Sequence, residues 1–172
     1  MKSLLLSFVA VFALATASQA DVTVKISDVH LCCGKCVTGA KKAVDEVDGA
    51  KATIDKDAST IEITAPDTAT AQKVADSLTK AGFFGTTTDS SIKIDATTGA
   101  KGAKVQTLTI KGVHLCCPKC VTAVHKAVTG VSGVTGDTAT KGAESFTVTG
   151  DFTDSDIFAA LQKAGLTGKV GE

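Results

Sequence analysis

The residues with the most chemical reach are six cysteines in two identical triplets, Cys32, Cys33, Cys36 and Cys116, Cys117, Cys120. Each triplet contains a Cys-x-x-Cys segment, Cys33-Gly34-Lys35-Cys36 and Cys117-Pro118-Lys119-Cys120. Two thiolates on a short loop suit a soft ion such as Cu(I) or Hg(II), whereas structural zinc usually takes four ligands. One ion clasped by four cysteines, two from each triplet, would instead favour Zn(II). Cys32 and Cys116 either add a third sulfur, for a three-coordinate site or a small copper–thiolate cluster, or point into solvent. His30 and His114 stand two residues before each triplet and are candidate ligands or supporting donors. A framework of structural disulfides usually links distant segments, and two odd, sequence-local clusters do not have that form. Cys-x-x-Cys does close readily to a disulfide in an oxidising compartment, so thiol–disulfide exchange, or a disulfide-locked interaction module, is the competing use.

The elements that position these loops occur twice. Residues 28–44 and 112–128, offset by 84, read DVHLCCGKCVTGAKKAV and GVHLCCPKCVTAVHKAV and agree at 12 of 17 positions. In the first copy Val22, Val24 and Ile26 alternate as a strand, and Val37, Ala40, Val44 and Val47 recur at helical spacing after the Cys loop. Ala50, Ala52 and Ile54 mark a second strand, and Ile61 with Ile63 a third. Pro66-Asp67 opens a second helix along Ala71, Val74, Ala75, Leu78 and Ala81, and a closing strand is expected between Gly85 and Ile94. The second copy repeats the pattern through Leu108 and Ile110, Val121, Val124 and Val128, Val134, Phe146 and Val148, then Ile157 and Leu161. Thr153 and Asp156 have the spacing of a capping box.

The order βαββαβ predicts an α+β protein: two tandem ferredoxin-like domains, each a four-stranded antiparallel sheet with two helices on one face. The expected division is 21–94 for the first domain, 95–104 for a flexible linker and 105–172 for the second. Ten flexible residues span roughly 16 to 19 Å root-mean-square. In each copy the Cys loop lies between the first strand and the first helix. Amides at a helix N-terminus stabilise an anion, which favours thiolates at Cys36 and Cys120.

Residues 1–20 carry Lys2, an apolar run and small residues at Ser18 and Ala20, the pattern of a cleaved signal peptide. That reading places the protein in the periplasm or outside the cell, without membrane insertion. Beyond Lys2 there are 18 − 1 = 17 basic and 18 acidic residues, with no Trp, Tyr or Arg. Such a balance gives no reason to expect nucleic acid as a partner. No paired carboxylates, nucleophile triad or phosphate loop points to an enzyme.

Each copy resembles a heavy-metal-associated domain, the family of copper chaperones, metal-transporting ATPase modules and the periplasmic mercury-binding protein. The residues that carry the likeness are His30-Leu31-Cys32-Cys33-Gly34-Lys35-Cys36 and His114-Leu115-Cys116-Cys117-Pro118-Lys119-Cys120, then Gly49-Ala50 and Gly133-Val134, then Ala81-Gly82-Phe83 and Ala164-Gly165-Leu166. The chain departs from the family pattern where Leu31 and Leu115 replace its Met, His30 and His114 its Gly, and where Cys32 and Cys116 are additional. The resemblance implies that Cys33, Cys36, Cys117 and Cys120 bind a heavy metal ion, Cu(I), Hg(II) or Zn(II). It further implies a carrier, chaperone or scavenger that meets a metal transporter or acceptor protein.

Overall fold

The computed structural model describes residues 20–171. The segment read as a signal peptide lies, apart from Ala20, outside the described residues. Alternation of apolar residues produces β1 (Val22–Ile26), and helical spacing produces α1 (Gly34–Asp45); β2 (Lys51–Asp55), β3 (Thr60–Ala65) and α2 (Thr68–Lys80) follow. The second repeat contains β4 (Lys104–Lys111), α3 (Pro118–Thr129), β5 (Val134–Asp137), β6 (Ser145–Thr153), α4 (Asp154–Lys163) and β7 (Lys169–Val170). Among the described residues, no helix is long and apolar enough to cross a membrane.

The first sheet has the order β1-β3-β2 and the second β5-β6-β4-β7, every pairing antiparallel. The inward faces of β1 and β3 bury Val24, Ile26, Ile61 and Ile63, and those of β4 and β6 bury Ile110, Phe146 and Val148. The helices close over these faces with Ala40, Val44, Val74 and Leu78, and with Val124, Val128, Ile157 and Leu161. Removing such apolar area from water stabilises each repeat by roughly 25 cal/mol per Å² buried. The α+β class and the two ferredoxin-like units are therefore present.

Three expectations need correction. The fourth strand of the first sheet is reduced to one bridge, in which Ser27 and Thr86 exchange backbone hydrogen bonds of 2.8 and 2.9 Å. Two contacts cause this: Asp89 accepts from the Ser91 amide at 2.9 Å and turns the chain, and Gln72 on α2 then captures both backbone groups of Lys93 at 2.8 Å. Ile92 is thereby buried in the core instead of continuing an edge strand.

The capping box at Thr153 does not form, because its side chain makes no capping bond. The neighbouring Asp154 is the buried, bonded residue. Its carboxylate accepts from the amides of Ser155 at 2.7 Å and of Lys101 and Ala103 at 2.9 Å each. Those last two bonds also correct the picture of a free tether. The 95–104 segment is fastened to the start of α4, and Val170 donates to Thr98 at 2.7 Å.

Candidate metal centre

The two repeats meet through their equivalent turns. Phe83 and Leu166 form an antiparallel bridge, Phe84 donates to the Gly165 carbonyl at 3.1 Å, and Thr167 donates to the Gly82 carbonyl at 3.0 Å. His30 also donates its amide to Gly165, at 3.2 Å. Both glycines have positive φ, +87° at Gly82 and +76° at Gly165, which an L side chain rarely adopts. A Cβ on Gly82 would lie 2.5 Å from Gly112 O and His114 N, and one on Gly165 would lie 2.5 Å from Asp28 O and His30 N. The matched contacts give the pair of repeats a near-twofold relation that brings the Cys loops face to face.

Within each loop the first cysteine of Cys-x-x-Cys is the helix N-cap: Cys33 precedes α1 and Cys117 precedes α3, both with extended backbone. Pro118 occupies the first turn of α3, where a missing N–H costs little. Cys36 and Cys120 donate their amides back to Cys33 and Cys117 at 3.0 and 3.1 Å, and their side chains are fully buried. Cys32, Cys33, Cys116 and Cys117 are half-buried. Lys35 and Lys119 are exposed.

All six sulfurs converge. Inside the first loop Cys36 Sγ lies 3.6 Å from Cys32 Sγ and 3.8 Å from Cys33 Sγ. In the second, Cys120 Sγ lies 3.7 Å from Cys116 Sγ and 3.6 Å from Cys117 Sγ. Between the loops, Cys32 is 3.4 Å from Cys117 and 3.6 Å from Cys120. Cys36 is 3.5 Å from Cys116 and 3.7 Å from Cys120, and Cys33 is 3.9 Å from Cys116. All six are free thiols, and these separations are far longer than a disulfide bond of about 2.05 Å.

Proximity divides the protons unevenly. Hydrogen bonding from Cys120, ahead of the opposing effect of burial, holds the Cys36 thiol far below its ordinary range; His114, Cys116 and Cys32 lower it further. Cys120 moves the other way, through the bond to Cys36 and then through burial. Burial, followed by the bond to Cys117, pushes Cys32 up; burial, followed by the bond to Cys36, pushes Cys116 up to about 12. At Cys117 burial opposes ionisation, but the Cys120 amide and the sulfurs of Cys32, Cys120 and Cys33 outweigh it and bring the thiol to about 6. The metal-free cluster thus holds thiolates and thiols side by side. Helix N-termini alone would favour ionisation of both Cys36 and Cys120, and their mutual contact separates them.

The two histidines flank the sulfurs. His30 has a donor atom within 4.8 Å of the sulfurs of Cys32 and Cys120, so it reaches across to the second loop. His114 stacks on Phe83 of the first repeat, ring centroids 4.4 Å apart. Both Nε2 atoms are buried without a hydrogen-bond partner. Burial is the main cause lowering the His30 pKa; Cys36 opposes that shift and His114 adds to it. Imidazoles with an open nitrogen beside thiolates are competent to hold a metal or to support its ligands. His125 is elsewhere, with Nδ1 2.6 Å from the buried carboxylate of Asp137.

The sequence offers one ion clasped by four cysteines, two from each triplet, and the structure brings all six sulfurs together. The glycine of each Ala-Gly turn, whose lack of a side chain lets the repeats approach, is the local sign of that convergence.

No family model matches the chain, and no curated protein matches it. Among solved structures it is similar to oxidized MerP from Ralstonia metallidurans CH34, at 27% identity and a TM-score of 0.37, over 41% of this chain and 100% of that one. It is also similar to the N-terminal soluble domains of Bacillus subtilis CopA, at 16% identity and a TM-score of 0.33, over 89% of this chain and 95% of that one. At TM-scores below 0.5, the fold rests instead on this chain's own element order and strand register. That order and register are those of two ferredoxin-like units, each with a Cys loop between its first strand and its first helix.

Proposed function

We propose that this chain is an exported binding protein, not an enzyme, for a soft or borderline thiophilic metal ion, and that it acts as a carrier, chaperone or scavenger in the periplasm or outside the cell. The observation that carries the reading is the convergence of six free thiols at the N-termini of α1 and α3. Apposed in that number, thiolates make a ligand set suited to soft ions. The Cys-x-x-Cys residues Cys33, Cys36, Cys117 and Cys120 are the proposed core of the site, with Cys32 and Cys116 in contact with them and His30 and His114 as flanking donors. Export rests on the 1–20 reading. Delivery would go to a metal transporter or another acceptor protein, by exchange of sulfur ligands one at a time.

The test is an anaerobic titration of the reduced protein with Cu(I), Hg(II) and Zn(II) against a competing chelator, alongside a count of free thiols on protein taken from its native compartment. Tight, saturable binding that is lost in the Cys33→Ser, Cys117→Ser double variant, with thiols found reduced, is the expected result. Absence of binding, or thiols found fully paired, overturns it in favour of redox exchange or a disulfide-locked module.

A further inference from the structure

The six sulfurs form a specific polyhedron. Six points make fifteen pairs, and nine of these pairs lie between 3.4 and 3.9 Å. Three more, Cys32 with Cys33, Cys33 with Cys117 and Cys116 with Cys117, lie within 4.8 Å. The pairs left without such a contact are Cys32 with Cys116, Cys33 with Cys120, and Cys36 with Cys117. Each sulfur therefore has four neighbours and one opposite partner, which is the connectivity of an octahedron.

That connectivity discriminates between ions. With a metal–sulfur bond of about 2.3 Å, tetrahedral zinc needs four sulfurs all about 3.8 Å from one another. An octahedron has no four mutually adjacent corners. A three-coordinate ion at the centre of a sulfur triangle needs edges of about 4.0 Å for the same bond length. The observed edges approach that value, so each triangular face is a nearly formed three-sulfur site. Cu(I) accepts three thiolates, and thiolates are the ligands that select it.

Four alternate faces of an octahedron use every corner twice. One such set is Cys32/Cys33/Cys117, Cys33/Cys36/Cys116, Cys116/Cys117/Cys120 and Cys32/Cys36/Cys120; the first three are each groups within 4.8 Å. The fourth has edges of 3.6, 3.6 and 3.7 Å. From this geometry we propose that the two repeats together enclose one cluster of four Cu(I) ions bridged by the six cysteine sulfurs. This rests on the metal-binding reading above and specifies its ion, stoichiometry and shared nature. Four Cu(I) ions enter, the protons still held by the six thiols leave, and no electrons move; the cluster carries 4 − 6 = −2. The N-termini of α1 and α3, both directed at the sulfurs through Cys33 and Cys117, stabilise that charge.

The roles of Cys32 and Cys116 follow. They are opposite corners, and each bridges the two loops: Cys32 to Cys117 and Cys120, Cys116 to Cys33 and Cys36. Without them the Cys-x-x-Cys pairs are complete but the polyhedron is open.

The test is native mass spectrometry of the full-length mature protein during anaerobic titration with Cu(I), together with X-ray absorption at the copper edge. The expected spectrum contains two dominant species, the metal-free chain and the chain with four copper ions less six protons, with three-sulfur coordination and a copper–copper vector. The Cys32→Ser, Cys116→Ser double variant, shown folded by circular dichroism, loses the four-copper species and holds two ions or fewer without that vector. Stepwise filling that ends at two ions in the wild type, or a double variant that still takes four, overturns the shared cluster while leaving a metal-binding protein. No uptake of Cu(I) by the wild type overturns the cluster, and the Hg(II) and Zn(II) titrations decide separately whether the metal-binding reading stands. The absorption measurement on wild type decides the cluster even if the variant does not fold.

Discussion

The sulfur of Cys32 lies nearer to Cys117 of the other repeat, at 3.4 Å, than to Cys36 of its own loop, at 3.6 Å. A site divided in this way cannot behave as two independent loops. Cys36→Ser and Cys120→Ser, each made alone, should therefore weaken copper retention nearly as much as the two together. Neighbours within one network typically show coupling energies of about 0.5–3 kcal/mol. Competition titration of the two single variants and the double variant measures that coupling. Strictly additive losses would mean that each repeat holds its own ion.

The glycine turns give a second prediction. Gly165→Ala places a Cβ 2.5 Å from the backbone of Asp28 and His30 at a φ of +76°. Gly142→Ala imposes a similar φ of +79° with nothing within 4 Å of the new Cβ. Backbone strain alone costs on the order of 1–3 kcal/mol and applies to both. Gly165→Ala should in addition separate the repeats and reduce copper uptake, while Gly142→Ala should leave uptake intact. Denaturant unfolding and copper stoichiometry, measured on both variants, separate strain from lost apposition.

The fold was largely legible because its signals are local. Alternation in Val24 and Ile26, helical spacing through Ala40 and Val44, and the Asp67 cap that accepts from Thr70 at 2.7 Å each act within a few residues. The duplicated loop supplied an internal check. The missing edge strand was not legible, because Gln72 competes for the backbone of Lys93 across 21 residues of chain. The apposition of the loops was hidden for the same reason: it depends on Gly82 and Gly165 meeting the opposite repeat, and each glycine reads locally as an ordinary helix stop. His114 likewise reads as a loop residue, and only the docked repeats reveal it lying on Phe83.

Thiol reactivity gives a third prediction. Cys117 is half-buried, and its thiol is brought to about 6. Cys116 beside it is pushed up to about 12. Only the thiolate attacks an alkylating reagent. In the metal-free protein, Cys117 should be the first residue modified by iodoacetamide near neutral pH. Its rate should fall about tenfold per unit below pH 6 and level off above pH 7, whereas an ordinary thiol keeps accelerating to about pH 8.5. Peptide mapping over a pH series reads the order directly. First modification at Cys116 would contradict the arrangement of protons derived for the cluster.

The last prediction concerns the segment that joins the repeats. Asp154 is buried, and its desolvation would raise its pKa, but the amides of Lys101, Ser155 and Ala103 outweigh burial and hold the carboxyl below its usual value. A carboxylate whose folded pKa is depressed contributes stability that is present above its unfolded pKa, about 3.9, and is lost as pH falls through the folded value. Asp154→Ala removes the acceptor of three amides and should destabilise the protein by about 1–3 kcal/mol at neutral pH. It should also flatten the part of the acid-stability profile that lies below about pH 4. Because two of those amides belong to the joining segment, limited proteolysis should cut the variant near Lys101 and Lys104 faster than the wild type. Equal cleavage rates, with stability lost all the same, would show that Asp154 caps α4 without restraining the connection between the two Cys loops.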